Sequence, residues 1–519
     1  MEGYGLEELA ASAEAVLAGL GPLAVQLAGL AAEAGRAVTL DAMEDLAWER
    51  GREVLCGVVQ LALDGQAARE VRVPQVTGAD GVPRRRAERG HARTVVTRLG
   101  KVAVRRIGYR SGIRGAGSLF PRDAVLSLPP CRYSWALQRL AVMYCAAVSY
   151  EQARGLVRAA TGVSVGKRQL QQVTARAAAD VERFCQDPAR PRDEPLPAAG
   201  PQARDGLPPL GISGDGKGVA MLPRARRRRA RAPEQRSRAF RKHTGTGEKK
   251  GHKRMAQTGC VFDVIAPEQP RTPEQVTGLE PGAAGNLPRA VNRWYACDIT
   301  ASRDVAIGKV FDEAGRRDPG HQRRWIVLAD GDNSQLDQIR AQAAARGVTV
   351  TIIIDFIHVL GYLWKAAWCF HAARDPAAED WVTAQGLDIL HGRAGEVITR
   401  ITDLAAADPP RPGSEHARII RTTLHYLNAK QPFMDYPAAL AAGWPIATGV
   451  IEGACRHLVQ DRMGITGARW GLDGAQAILW LRATAASGDT GAYWDWHITQ
   501  EHQRNHLSRY QPGTFDLAA

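Results

Sequence analysis

The chain has 519 residues, of which 45% are hydrophobic and 24% charged, the balance of a globular protein long enough for about three domains. Its net charge of +14 points to an acidic partner. Eight cysteines without a CxxC pair argue against a structural zinc site and a secreted disulfide framework, so we expect reduced thiols in a cytoplasmic protein.

Residues 1–93 are Ala- and Leu-rich at first and polar from residue 78, and we expect an N-terminal helical region. The apolar run Ala15–Ala31 is similar to a secretory signal. However, glutamates precede it where such a signal carries positive charge. Gly21-Pro22 interrupts the run, which is also too short to span a membrane. The pattern therefore predicts a helical hairpin.

Residues 94–187 are expected to form a small hairpin and a helix-turn-helix DNA-binding region. The alternating segment Thr94–Tyr109 predicts the hairpin. Helices over Tyr150–Ala160 and Ser164–Asp180, with Thr161-Gly162 between them, predict the helix-turn-helix. The second helix would present side chains suited to bases and phosphates: Lys167, Arg168, Gln171, Gln172 and Arg176. Two helices around a glycine turn are also common in all-helical cores, and both interpretations stay open.

Residues 188–209 are rich in Pro, Asp and Arg, which predicts a linker. The pattern then becomes that of a mixed α/β sheet over 210–357, with Asp215 in its first strand and Asp330 and Asp355 ending later ones. The expected order is strands 210–222, 255–264 and 293–299, helix 302–314, strand 325–330, helix 335–346 and strand 348–355. A helical insertion over 358–445, a helix-bearing segment over 446–487 and a C-terminal tail over 488–519 complete the chain.

The positive charge is concentrated in the loop 222–254. Between residues 224 and 254 fourteen Lys or Arg stand against two glutamates, a net +12 that is nearly the whole excess. A localised cationic segment of this kind favours a polyanion such as nucleic acid. The alternative is a solvated loop with no fixed partner.

The segment Gly449–Trp470 has one acid near its start, Glu452, which is followed closely by several cations. Helical spacing gives it an apolar stripe, with Thr448 as the expected cap and Gly464 as the expected end. A carboxylate held on a helix among cations suits a metal ion that grips a phosphate. The alternative is an ordinary surface pair between Glu452 and Arg456, four residues apart.

Converging carboxylates repel one another, so they need raised pKa values or a cation. If Asp215, Asp330 and Glu452 meet, their oxygen ligands favour Mg²⁺ or Mn²⁺ over a softer metal. Two such ions could support attack by a water or a 3′-hydroxyl on a phosphodiester. The long spacings between these acids do not single them out, and the chain lacks the Walker, HExxH and strand-borne GxSxG motifs of rival chemistries.

Four motifs together resemble the DDE transposases of bacterial insertion sequences, and among them the ISKra group. They are GDGKGVAM around Asp215, LADGDNSQL around Asp330, IDFIHVLGYLWKAA around Asp355 and the block Gly449–Trp470. The segment RTPEQV at 271–276 is also similar. The resemblance covers about residues 210–485, and the last block is its most specific part.

The resemblance implies a ribonuclease-H-like mixed sheet with a large all-helical insertion before the final acid, and helical and helix-turn-helix DNA-binding regions ahead of it. Asp215, Asp330 and Glu452 would be the catalytic metal ligands for Mg²⁺ or Mn²⁺, with two ions per site. Asp355 and His358 match a DxxH signature and would lie beside the site. Asp332 is an alternative to Asp330, and His358 could equally be a core histidine bonded to Asp355.

The same resemblance implies cleavage at the ends of the element and joining of the 3′-hydroxyl to target DNA. Double-stranded DNA would be the partner of a homo-oligomer associated with the nucleoid. The candidate DNA contacts are Lys167, Arg168, Lys217, Arg226, Arg227, Arg228, Arg229, Arg456, Arg462 and Arg469. Tyr362, Trp364 and Trp368 could stack on bases or belong to the core. A non-cleaving DNA-binding protein, such as a repressor of its own element, is the alternative function.

Overall fold

The structure, a computed structural model, describes residues 39–190, 206–225, 253–281 and 286–512, with scattered positions between 14 and 29. Contacts divide the chain into two units. Unit 1 contains 1–185 and 491–519, and unit 2 contains 186–490. The expected N-terminal hairpin, most of the linker and Arg226–Arg229 lie outside the described residues.

Unit 1 begins with a long helix, two short strands, a β-hairpin and a run of helices. These are α1 (Leu40–Ala68), β1 (Val76–Thr77), β2 (Pro83–Arg84), β3 (Arg86–Val96), β4 (Lys101–Arg110), α2 (Pro121–Val125), α3 (Trp135–Ala147), α4 (Tyr150–Thr161), α5 (Lys167–Ala178) and α6 (Val181–Gln186).

The hairpin predicted over Thr94–Tyr109 is formed by β3 and β4, which turn between the paired residues Val96 and Lys101. It is longer than the alternating residues suggested, because β3 starts at Arg86, inside the region 1–93 that was expected to be helical, and β1 and β2 precede it there. Val95, Val102 and Val104 form a small core with apolar side chains of α1. Packing of these apolar residues on α1 therefore stabilises β3, although most of its other residues are polar.

Helices α4 and α5 form the helix pair expected at 150–180. Gly162 ends α4 in the left-handed conformation that glycine adopts at low cost, with φ of 65°. Leu170 and Val173 face the core, whereas Lys167 and Arg168 are exposed at the start of α5. The cationic end of α5 is therefore accessible.

Unit 2 is built on a five-stranded mixed sheet. Its strands are β5 (Leu210–Ala220), β6 (Lys253–Ile265), β7 (Arg289–Asp298), β8 (Trp325–Ala329) and β9 (Val350–Ile354). Their order is β7-β6-β5-β8-β9, with β6 antiparallel to both neighbours and β8 and β9 parallel to β5. The predicted mixed α/β core is thus confirmed, and β5, the strand of Asp215, lies at its centre.

Helices accompany these strands and then form a long all-helical run. They are α7 (Pro273–Thr277), α8 (Arg303–Arg317), α9 (Asn333–Ala345), α10 (Phe356–Phe370), α11 (Ala377–Leu390), α12 (Ala394–Ala407), α13 (Glu415–Lys430) and α14 (Tyr436–Ala441). The helical insertion predicted at 358–445 is therefore present. No helix within the described part of the chain has the length and hydropathy needed to cross a membrane.

The segment that bears Glu452 is one irregular helix, α15, in three parts. It is α-helical over Gly449–Ala454, widens to a π-helix over Cys455–Gln460 and closes with Asp461–Met463. Gly464 follows it, as predicted. A π-helical turn is rare and occurs often at functional sites.

After α16 (Leu472–Ala486), the last helix α17 (Thr490–Asn505) belongs almost wholly to unit 1. Tyr493 donates a hydrogen bond to the Ala177 carbonyl, and the buried His497 ring lies 2.8 Å from the Asp180 carboxylate. The region expected to be a C-terminal tail is thus part of the core of unit 1, because its aromatic residues are buried there.

Candidate active site

Asp215, Asp330 and Asp355 lie side by side on three adjacent parallel strands. Ser213 of β5 pairs with Leu328 of β8, and Ala329 of β8 pairs with Ile354 of β9. Asp215, Asp330 and Asp355 each lie one or two residues beyond these pairs, so the three fall in one row. Adjacent strands are about 4.8 Å apart, which brings the three backbones together at one edge of the parallel strands.

Asp215 and Asp330 line one small cavity of about 40 Å³. Asp332, Arg303 and Gln335 also line it. A water needs roughly 10–15 Å³ of such space, so the cavity has room for a cation and a few waters but not for a nucleotide. The structure therefore brings the first two expected acids to a common ion-sized space.

The loop after β8 is held by short hydrogen bonds. The Asp332 amide donates to Asp330 Oδ1 at 2.9 Å, and the Tyr426 hydroxyl donates to the Asp330 carbonyl at 3.0 Å. Gln335 donates from its amide to the Gly214 carbonyl at 2.7 Å, which ties this loop to β5. The bond from Gln335 therefore helps to hold the loop of Asp330 beside the strand of Asp215.

Asp332 has a structural task of its own. It caps α9 by accepting a hydrogen bond from the Gln335 amide at 2.9 Å, and it pairs with Arg303 at 2.5 Å. These contacts hold the pKa of Asp332 below its ordinary value even though partial burial acts to raise it. Asp332 therefore has a structural role as a cap and ion-pair partner, and Asp330 keeps the role of candidate metal ligand.

Glu452 meets a different pair of residues. Asp355, His358 and Glu452 have potential ligand atoms within 4.8 Å of one another, the one such group of three acids, histidines or cysteines among the residues that the structure describes. Asp215 and Asp330 are not in this group. The expected triad is therefore distributed over two neighbouring clusters, which His358 connects because the charges of both Asp330 and Glu452 act on it.

Within this group Asp355 is the buried anchor. Its carboxylate accepts hydrogen bonds from the Ile357 amide at 2.8 Å and from the Thr448 hydroxyl, and His358 Nδ1 lies 3.5 Å away. Burial acts to raise the pKa of Asp355, but these contacts outweigh it and the pKa is lowered. Both oxygens are engaged, so Asp355 fits the expected place beside the site better than that of a metal ligand.

His358 is half-exposed and faces the acids. Its contact with Asp355, opposed by burial, and the charges of Asp330 and Glu452 raise its pKa above the ordinary value. With Nδ1 directed to Asp355, Nε2 is the nitrogen left for a ligand or a substrate oxygen. The core-histidine alternative is thus half right, because His358 does contact Asp355 but is not buried.

Thr448 differs from the expectation for the start of α15. It makes no side-chain cap on this helix and instead donates its hydroxyl to Asp355. Within the described residues Glu452 forms no ion pair with Arg456, so the simple surface pair is not formed either. The Glu452 carboxylate is exposed and has its oxygens available to a ligand.

Cys455, one turn after Glu452, connects α15 to the first acid. Its thiol is buried, and both Thr258 and Asp215 act on its pKa. Burial and the charge of Asp215 raise the pKa of Cys455 to about 12, so the thiol stays protonated. The helix that carries Glu452 therefore also packs against β5, the strand of Asp215.

The candidate cations near the site separate into two kinds. Lys217, Arg456 and Arg469 are exposed. Arg462 is only 2% exposed and its guanidinium lies over the Trp470 ring at 4.8 Å, so we correct the expectation that it is a surface contact for phosphate.

Arg303, Gln335 and Tyr426 are site residues that sequence reasoning missed. Each reaches the site from a different helix through a tertiary contact, and none belongs to a recognisable motif. One signal was present, since Arg303 follows the cap Ser302 at the start of the helix after β7, where a long cationic side chain can reach across the end of the sheet.

The donor set could hold a metal ion. Asp215 and Asp330 offer carboxylate oxygens at the cavity, and Glu452 and His358 offer an oxygen and a nitrogen in the neighbouring group. Carboxylate oxygens together with one imidazole are a ligand set that several divalent cations accept.

Comparison with known proteins assigns no family to the chain. No protein-family model matches the chain. No curated protein matches it either.

Proposed function

We propose that the chain is a DDE-type transposase that binds the ends of an insertion sequence, cleaves phosphodiester bonds and joins the freed 3′-hydroxyl to target DNA. The observation that carries the proposal is the row of Asp215 and Asp330 on adjacent parallel strands, around an ion-sized cavity, with Glu452 brought beside it by α15.

The architecture supports the ribonuclease-H-like fold that the resemblance implies. Three antiparallel strands are followed by two strands parallel to the first, and the first strand is central. The helical run from α10 to α14 separates these strands from the helix of the final acid. Chemistry at one edge of the sheet, with the last ligand supplied after a long insertion, is the arrangement that this family requires.

Bound Mg²⁺ or Mn²⁺ would supply Lewis acidity at the scissile phosphate and lower the pKa of an attacking hydroxyl. Asp215 and Asp330 would hold this charge on the strand edge, and Glu452 would hold it from the helix. Asp355 orients His358, whose Nε2 is then free to donate to a phosphate oxygen. Lys217, Arg456 and Arg469 are exposed cations that would contact the DNA backbone.

Recognition of the element's ends would fall to unit 1. Helices α4 and α5 form the proposed helix-turn-helix, with Lys167, Arg168 and Gln171 exposed on its second helix. The cationic loop, with Arg226–Arg229, would add contacts to either DNA partner. Action on two element ends makes a homo-oligomer on DNA the expected assembly.

The test supplies the full chain with Mg²⁺ and labelled DNA that carries the element's ends. We expect nicked and joined products from the wild type and their loss in Asp215→Ala and Glu452→Gln. Asp337→Asn, an exposed acid on α9, is the matched control and should retain activity. DNA binding in a gel-shift assay should be unchanged in all three variants.

If the wild type binds the ends but forms no product with either Mg²⁺ or Mn²⁺, the chain is the non-cleaving DNA-binding protein, and the transposase proposal is wrong. Product formation that persists in Glu452→Gln would assign the third ligand to another residue.

A further inference from the structure

Helix α10 begins at the candidate active site and carries an exposed aromatic face away from it. Asp355 caps the helix and His358 lies in its first turn. Ile357 and Trp368 are 57% and 42% exposed, although both are large apolar residues. Trp364 is partly exposed and its ring stacks on that of Trp368, with centroids 5.5 Å apart. An exposed apolar stripe on one side of a helix marks a binding surface.

These residues share the side of α10 opposite its buried residues. The core side carries Val359, Leu363 and Ala367. Helical spacing of three, four and seven places the exposed set along the other side. This set, which we call the α10 ridge, consists of Ile357, Gly361, Trp364, Lys365 and Trp368.

Charge on the ridge favours an anionic partner. The helix Phe356–Phe370 contains no Asp or Glu. Lys365 forms no ion pair with any described residue, and its ammonium lies 4.4 Å from the centroid of the Tyr362 ring. Tyr362 in turn stacks on Tyr426, which donates to the Asp330 carbonyl. A chain of contacts thus connects the cation on the ridge to the acid at the cavity.

Gly361 lies in the middle of the ridge without a packing reason. A Cβ built there has nothing within 4 Å outside the helix. Glycine in a helix interior costs roughly 1 kcal/mol relative to alanine. Since no neighbour in the described structure needs the space, the gap between His358 and Lys365 leaves room for a ligand that approaches the helix backbone closely.

We propose that the α10 ridge is a stacking platform for unpaired bases of the DNA strand that runs from the cleavage site. At about 1.5 Å per residue, Trp364 and Trp368 lie roughly 9 and 15 Å along the helix from His358. At about 3.4 Å per stacked nucleotide, this distance corresponds to roughly three to four steps from the scissile phosphate. Flat indole rings beside a lysine accept any base, because every base has a π-face.

The proposal rests on the proposed function and refines it, since it names separated bases rather than intact duplex as what this surface binds. It also resolves the two interpretations of the aromatic residues. Tyr362 is partly buried against Tyr426 and supports the site, whereas Trp364 and Trp368 are available to a ligand.

The experiment uses the full chain and a duplex with an unpaired four-nucleotide end that carries 2-aminopurine, whose fluorescence falls on stacking. Mg²⁺ is omitted, so that binding is read without cleavage. We expect strong quenching in the wild type and its loss in Trp364→Leu with Trp368→Leu, together with about tenfold weaker binding of the unpaired end. Trp48→Leu, at an indole that is 55% exposed on α1, is the control.

A second variant guards against misfolding. Gly361→Leu should fill the gap and weaken binding of the unpaired end, while thermal stability stays at or above that of the wild type. Unchanged quenching and affinity in both ridge variants would overturn the proposal. So would a ridge variant that alters only self-association in sedimentation, which would assign the surface to a second copy of the chain.

The two proposals can fail separately. Tryptophan-dependent quenching without any cleavage in Mg²⁺ would retain the platform and remove the transposase. Cleavage with unchanged quenching would do the reverse.

Discussion

Gly331, between Asp330 and Asp332, shows how a single residue shapes the candidate site. Its φ is 93°, a region that side chains of L-residues rarely adopt, and a Cβ there would lie 3.0 Å from the Tyr426 ring. The glycine lets the chain turn sharply after β8, so that Asp330 faces the cavity while Asp332 caps α9. The motif DGD is thus explained by backbone geometry as well as by its charges.

Gly331→Ala should reduce activity without removing any proposed ligand. The left-handed backbone costs roughly 1–2 kcal/mol for alanine, and the contact with Tyr426 must also give way, which displaces Asp330. We expect a loss of cleavage larger than the loss of stability accounts for, measured as product yield against urea unfolding. Gly347→Ala, also at positive φ but with open space around it, is the control for strain alone. Equal losses of activity in the two variants would contradict this view of Gly331.

The sequence predicts some of these residues and not others. Asp215 and Asp330 could be found because each lies in a clear β-run, and the resemblance supplies Glu452. The contact of Thr448 with Asp355 joins residues 93 positions apart, and local capping preference pointed elsewhere. Helical spacing places Arg462 in line with the buried Leu458, but the Trp470 ring that lies over its guanidinium is a tertiary contact that local pattern does not reveal.

Helix α8 packs on the sheet at a point where the strands beneath it carry small residues. Gly214 and Gly259 are opposite each other on β5 and β6. A Cβ at Gly259 would lie 2.2 Å from Val310 of α8. The helix can therefore approach the sheet closely, which brings Arg303 at its start to the cavity.

Gly259→Ala should destabilise unit 2 by about 1–3 kcal/mol, the usual cost of overpacking. Adding Val310→Ala should recover part of the loss, because it removes the clashing methyl. Urea unfolding of the wild type, both single variants and the double variant forms the cycle that measures this coupling. Additive losses would mean that the two residues do not compete for the same space.

Element positions were predicted well where hydrophobic periodicity was strong. The five strands of the mixed sheet and the helices α8 and α9 between them lie close to their expected ranges. The apolar stripe of α15 is also buried as expected. Its π-helical turn was not predicted, because a backbone hydrogen bond between residues i and i+5 leaves no pattern of side chains in the sequence.

Across the whole molecule, unit 1 is assembled from both ends of the chain. Buried polar contacts join α17 and the residues after it to the N-terminal elements, including His506, whose Nε2 lies 2.7 Å from the Leu128 carbonyl. Burial lowers the pKa of His506 below its ordinary value, although the Leu128 carbonyl acts to raise it. The folded state therefore favours the neutral ring.

Acid should consequently weaken unit 1. Below the ordinary histidine pKa of about 6.5 the unfolded chain binds a proton that the folded chain resists, so stability is complete above this pH and falls as the pH drops. The contribution of one group cannot exceed about 1.4 kcal/mol per pH unit. Unfolding from pH 8 to 5 should show a smaller slope in His506→Gln than in the wild type, with exposed His416→Gln as the control. An identical slope in His506→Gln would refute this assignment.

The row of acids also determines which parts of the sequence can change without disturbing the candidate site. Asp215 and Asp330 meet because of the ladder between β5 and β8, whatever the length of chain that leads from one to the other. The loops between these strands, the cationic loop included, can therefore be lengthened, trimmed or exchanged without moving the pair. A single residue deleted inside β8 would instead turn Asp330 to the opposite side of the sheet. In a chain with the proposed function, specificity for DNA and the capacity to cut it would thus be free to diverge independently.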